Sequence, residues 1–131
     1  MIDWVKILNH SQELTKRVLS DPRFKWNETD VFSWGTIKGY ADGFEVEINQ
    51  PTGQTKVGFS LHKYFNSSTG AGNQNYNDFV FPDICKAVQS VADYFGSEIL
   101  IADIVNIEFG VNITAPIPTT ELLNNCHSHR K

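Results

Sequence analysis

The chain is poor in the residues that mark specialised architectures. Two of its 131 residues are cysteine, Cys85 and Cys126, 41 positions apart and with no C-x-x-C pair, which removes a structural zinc ribbon, a redox dithiol and a disulfide-stapled scaffold. Both are read as free thiols. No run of about eighteen apolar residues occurs, and Met1-Ile2-Asp3-Trp4-Val5-Lys6 lacks a basic leader followed by an apolar stretch, so a soluble cytoplasmic protein without membrane contact is expected. Long blocks of like charge are missing too. Charged residues make up 20% of the chain, and 15 acidic against 11 basic residues leave a net charge of −4, which excludes a disordered polyelectrolyte and any whole-chain attraction to a polyanion. A local basic patch is still compatible with that balance. There is no G-x-x-x-x-G-K-S/T, no G-x-G-x-x-G and no G-x-S-x-G, so nucleotide hydrolysis, dinucleotide binding and the hydrolase elbow have no motif.

What is present suits one core. With 40% apolar and 12% aromatic residues, a single domain over residues 1–118 is expected, with 119–131 as a tail or short helix. Ile2 to Leu8 reads as a strand. Ser11 caps a helix carrying Leu14, Val18 and Leu19 that stops at Asp21-Pro22, because proline disfavours helix in the residue before it. Arg23 to Asp30 is polar, with Phe24 and Trp26 set in it as aromatics to bury. Val31 to Tyr40 suits a strand interrupted by Gly35 and Gly39, and a tight turn at Ala41-Asp42-Gly43 leads into Phe44-Glu45-Val46-Glu47-Ile48, where apolar and acidic residues alternate. After a turn at Gln50 to Gln54, Val57, Phe59 and Leu61 alternate with Lys56, Gly58, Ser60 and His62 in a further strand. Asn66 to Asn77 reads as a polar loop. Pro82 and Asp83 open a helix bearing Ile84, Val88, Val91 and Phe95, which Gly96 ends. In the last strand Val105, Ile107, Phe109, Val111 and Ile113 share the odd positions.

Short connectors between strands force antiparallel neighbours, and two amphipathic helices need a sheet face to cover. The expected fold is therefore α+β, a two-layer sandwich of the ferredoxin/RRM-like kind, with a mostly antiparallel sheet of about five strands and two helices on one face. The other face stays open and polar.

On that open face Ser60 and His62 would stand beside Asn106, Glu108 and Asn112 if the two strands are neighbours. An imidazole next to a carboxylate is the start of a divalent-metal site for Mg or Mn. His127-Ser128-His129 is an H-x-H pair whose imidazoles point the same way on a strand, so both are further candidate ligands, although a frayed tail is the commoner fate of such residues. Tyr40, Tyr64, Tyr76 and Tyr94 have no lysine at helical spacing to activate them as nucleophiles, and no catalytic residue is assigned. Tyr76 in the asparagine-rich loop suits base stacking, and Lys38, Lys56 and Lys63 suit phosphate contacts.

Three stretches taken together resemble the amino-terminal region of replication initiation proteins of the filamentous-phage and rolling-circle-plasmid type, including those of Bacteroidetes mobile elements. They are Met1-Ile2-Asp3-Trp4-Val5-Lys6-Ile7; Ser60-Leu61-His62-Lys63-Tyr64-Phe65-Asn66 with Asn73-Gln74-Asn75-Tyr76-Asn77-Asp78-Phe79; and Asn106-Ile107-Glu108-Phe109-Gly110-Val111-Asn112-Ile113. The resemblance implies metal-dependent DNA nicking, in which a tyrosine attacks a phosphodiester and stays attached to the 5′ phosphate. It matches Glu108 to the acidic position of the last strand and His62-Lys63 to the end of the middle motif. Family members are longer, and their tyrosine and its basic partner are expected beyond Lys131, so this chain is read as a DNA-engaging amino-terminal domain or shortened form. Lys63, Tyr64, Asn66, Asn75, Tyr76 and Asn77 are the expected contacts to single-stranded or origin DNA. Two other classes stay open: a protein-interaction module using neither DNA nor metal, and a complete small metal-dependent nuclease.

Overall fold

The computed structural model describes residues 2–27, 35–74 and 77–110. Its elements are β1 (Ile2–Asn9), α1 (Gln12–Ser20), β2 (Lys25–Asn27), β3 (Thr36–Ala41), β4 (Phe44–Asn49), β5 (Gln54–Phe59), α2 (Leu61–Ser68), α3 (Phe81–Phe95), a 3-10 turn (Ser97–Ile101) and β6 (Asp103–Phe109). The six strands form one antiparallel sheet in the order β2-β3-β4-β5-β1-β6. The expected α+β sandwich is present, with six strands rather than about five and three helices rather than two among the described residues. The extra strand is β2, three residues long, which the polar composition of Arg23 to Asp30 conceals. Strands β4, β5, β1 and β6 with α1 and α3 reproduce the ferredoxin-like order, and the β2–β3 hairpin widens the sheet beyond it.

Alternation along the strands decides which face is covered. Val5, Ile7, Phe44, Val46, Ile48, Val57 and Phe59 point to one side and join Leu14 and Val18 of α1, Leu61 of α2, and Ala87, Val91, Ala92 and Phe95 of α3 in a single buried cluster. Phe44 lies at its centre, with the rings of Phe59, Tyr64, Tyr94 and Phe95 at centroid distances of 4.8–5.2 Å. Side-chain caps set the helix ends. Ser11 and Ser60 accept from the Leu14 and Lys63 amides, and Arg17 donates to the Phe95 carbonyl at the negative end of α3. The β3–β4 hairpin closes on two residues, Asp42 and Gly43, with φ of 49° and 83°, the positive pair that a tight twisted hairpin requires.

Two readings of periodicity are corrected. The strand expected to run through His62 stops at Phe59, and Ser60 caps α2 instead. Leu61 points inward either as the next alternate residue of a strand or as the first apolar position of a helix, so alternation alone cannot mark the boundary. In β6 the register slips at Val105: Asn106 faces Lys6 but Ile104 faces Ile7. Ile104 rather than Val105 therefore joins Ile107 on the helix side, as a bulge requires. The expected strand residues beyond Gly110, and the proposed tail 119–131, lie outside the described residues.

Candidate ligand-binding face and the buried histidine

The two residues of the expected metal pair are on opposite sides of the sheet. Glu108 pairs with Trp4 and projects from the open face, where it accepts a 3.4 Å hydrogen bond from Asn106. His62 sits in the first turn of α2 in the helix layer, with no exposed surface. The juxtaposition failed because it required β5 to continue for three more residues. His127 and His129 lie outside the described residues, and among the described residues no group of three or more His, Cys, Asp or Glu is placed to hold a metal ion.

His62 instead anchors the chain that follows α2. Its ring stacks on Phe79 at 4.4 Å and 8°, and its Nε2 is 2.8 Å from Asn77 Oδ1. The direction of that bond follows from the neighbours. Asn66 Nδ2 donates to the Gln74 carbonyl, a pure acceptor, which fixes the Asn66 amide; Asn66 and Asn77 then exchange hydrogen bonds at 2.7 and 3.2 Å, which turns Asn77 Oδ1 toward His62. Nε2 must therefore carry the proton. Nδ1 is buried with no partner. Burial disfavours the imidazolium and pulls the His62 pKa below its ordinary value, against the Asn77 bond and the carboxylate of Asp3, which both favour the charged form. Of the expected DNA contacts, Asn66 is 1% exposed and is consumed by this network together with Asn77. Tyr64 packs on Phe44, with its hydroxyl 3.2 Å from Ser90 Oγ. Lys63 is exposed; Asn75 and Tyr76 lie outside the described residues.

The uncovered face holds groups that motif reading passed over. Register places Lys25, Tyr40, Glu45, Gly58, Lys6 and Asn106 in one row across all six strands. The next row runs Asn27, Lys38, Glu47, Lys56 and Leu8. A Cβ on Gly58 would lie 2.8 Å from the Trp4 ring, so this glycine is where the indole rests on the sheet. The two rows differ in how their charges are used. Glu47 is held by Lys38 at 3.1 Å and Lys6 at 4.0 Å, and although burial pushes its pKa up, these ammonium groups bring it below the usual carboxylate value. Glu45 and Lys25 form no hydrogen bond through their side chains and no ion pair among the described residues.

Around that second set opens a cleft of about 540 Å³ lined by Trp4, Arg23, Lys25, Tyr40, Asp42 and Glu45, among others. A neighbouring cleft of about 440 Å³, lined by Asp42, Gly43, Tyr64, Ser67, Asn73 and Tyr94, shares the hairpin turn with it. The open face and the start of the loop after α2 therefore meet around Asp42 and Gly43. The signal in the sequence was the alternation itself: residues out of phase with the apolar set in β3, β4 and β5 had to share one surface. No family model, curated protein or solved structure matches the chain.

Proposed function

We propose that the chain is the DNA-engaging domain of a rolling-circle type replication initiator and that it holds a single strand on its uncovered sheet face. The observation that carries this is the cleft in which Trp4 and Tyr40 offer aromatic surface beside Lys25, whose ammonium group forms no ion pair among the described residues. Single-stranded nucleic acid is held by just such stacking surfaces with cations along the backbone. Lys6, Lys38 and Lys56 continue the cationic positions along the face, and Asn73 lines the neighbouring cleft that shares the Asp42-Gly43 turn. A net charge of −4 makes the attraction local and the binding salt-sensitive.

The test is fluorescence anisotropy with a labelled oligothymidylate of about a dozen nucleotides. Between about 50 and 200 mM salt the affinity is expected to fall roughly tenfold, as release of counterions from two or three phosphates requires. Trp4→Ala is expected to weaken binding at least about fivefold, the low end of one lost base stack. Absence of binding at low salt would remove this reading.

A second reading, a protein-interaction module, is favoured by β6. This sheet-edge strand exposes Ile104, Val105, Ile107 and Phe109 by 38–71% among the described residues, an edge of the kind that pairs with another chain. Salt-independent association with a protein and none with DNA would select it.

A further inference from the structure

We infer that the cleft between Trp4, Lys25, Tyr40 and Glu45 is a base-reading subsite that takes a guanine of the bound strand, with Glu45 as its specificity residue. The inference rests on the single-strand reading above and adds what that reading leaves open, the base preferred.

The argument begins with the row Lys25-Tyr40-Glu45, whose members are immediate cross-strand neighbours on β2, β3 and β4. Adjacent strands are about 4.8 Å apart, so these three side chains span roughly 10 Å, enough for one nucleobase with its sugar and phosphate. The cleft volume of about 540 Å³ accommodates that unit. Gly58 continues the row without a side chain, and the Trp4 ring covers it, so Glu45 lies between two aromatic groups, Tyr40 on one side and Trp4 on the other. Tyr40 is 46% exposed, which leaves its ring open to a stacked base.

Partner accounting singles out Glu45. Its neighbour Glu47, two residues along the same strand and on the same face, is neutralised by two lysines. Arg23, at the cleft wall, is committed to Asp21 and lies over the Tyr94 ring at 3.8 Å. Asp42, also in the cleft wall, accepts from the Tyr94 hydroxyl at 2.8 Å, so among the described residues Glu45 and Lys25 are the charged groups of the cleft whose side chains form no hydrogen bond or ion pair.

The chemistry of a carboxylate then chooses the base. An ionised carboxylate offers two acceptors side by side and no donor. Guanine presents two adjacent donors, N1–H and N2–H, on its Watson–Crick edge, which a single strand leaves accessible. Thymine presents one N–H between two carbonyl oxygens. Adenine and cytosine each place an acceptor nitrogen beside their amine, and a carboxylate repels it. With the guanine edge on Glu45 and its ring against an aromatic, Lys25 at the far end of the row falls to the phosphate.

The experiment compares three labelled oligonucleotides on the full chain: oligothymidylate, the same strand with one central guanine, and the same strand with inosine there, which lacks the N2 amine. Guanine is expected to bind at least about fivefold tighter than thymine, the low end of a bidentate base contact, with inosine between them. In Glu45→Gln, which keeps the shape but replaces one acceptor with a donor, the guanine advantage is expected to drop below about twofold while oligothymidylate affinity holds or rises. Thermal unfolding of Glu45→Gln checks that the fold is intact, and Glu45→Asp serves as a second variant that retains the paired acceptors. Equal binding of all three strands by the native chain overturns the subsite and leaves the single-strand reading standing. A guanine advantage unchanged in Glu45→Gln overturns Glu45 as the reader. Failure of every strand to bind removes the single-strand reading itself.

Discussion

Two tryptophans lie on two sheet glycines, one on each face. Trp26 covers Gly39 on the helix side, where a Cβ would lie 2.7 Å from the ring, and it packs against the buried cluster beside Phe24. Trp4 covers Gly58 on the open side, with a corresponding 2.8 Å, and no helix among the described residues lies over that face. The local device is the same, a strand glycine whose missing side chain admits an indole. Both indoles are partly buried, but one packs against the core and the other rests on the sheet alone.

The largest expected effect tests this contrast directly. Trp26→Ala is expected to destabilise the fold by about 3 kcal/mol in urea unfolding, the low end for a large aromatic, since the ring packs on the core but stays partly exposed. Trp4→Ala should cost about 1 kcal/mol, since the ring lies on the sheet and does not pack against the buried cluster. Equal costs would erase the distinction between the faces.

Next in size is His62→Ala, expected to cost about 2 kcal/mol through a cavity beside Phe79 and the lost hydrogen bond to Asn77 Oδ1, which keeps only its Asn66 donor. Limited proteolysis between Gly70 and Phe79 should accelerate in the same variant. Unchanged cleavage would mean that the histidine does not anchor that segment.

A pH series sharpens the same point. Because the folded pKa of His62 lies below its ordinary value of 6.5, the unfolded chain binds the proton more readily. Its contribution to stability is therefore complete above about pH 6.5 and is lost as the pH falls through that value toward the depressed folded one. The native chain should lose more stability than His62→Phe between about pH 7.5 and 5.5, and parallel curves would contradict the burial argument. The smallest effect belongs to the open face: Glu47→Gln should change stability by less than about 1 kcal/mol, because its two lysine partners remain partly in water.

The sheet was legible because its strands obey a period of two with one apolar face, and Phe44 to Ile48 states that pattern without interruption. Caps were legible for the same local reason: Ser11 and Gly96 act through their own backbone neighbours. The site was much less so. Alternation puts His62 on the open face, because Leu61 keeps the phase across the strand–helix boundary. Asn66 and Asn77 looked like free loop amides, yet each satisfies the other across eleven residues. Nothing in local composition reveals that kind of pairing. The slip at Val105 was equally hidden, since a bulge is a property of two strands and only one of them is read at a time.

By itself the sequence determined that one apolar surface would be shared by an antiparallel sheet and amphipathic helices, because periodicity and turn chemistry act within a few residues. The tertiary structure decided which polar residues became neighbours. Lys25, Tyr40 and Glu45 meet through strand register, and Trp4 reaches Gly58 from across the chain. Register is fixed by the packing of the opposite face, so the composition of the open face follows from a core whose residues take no part in it.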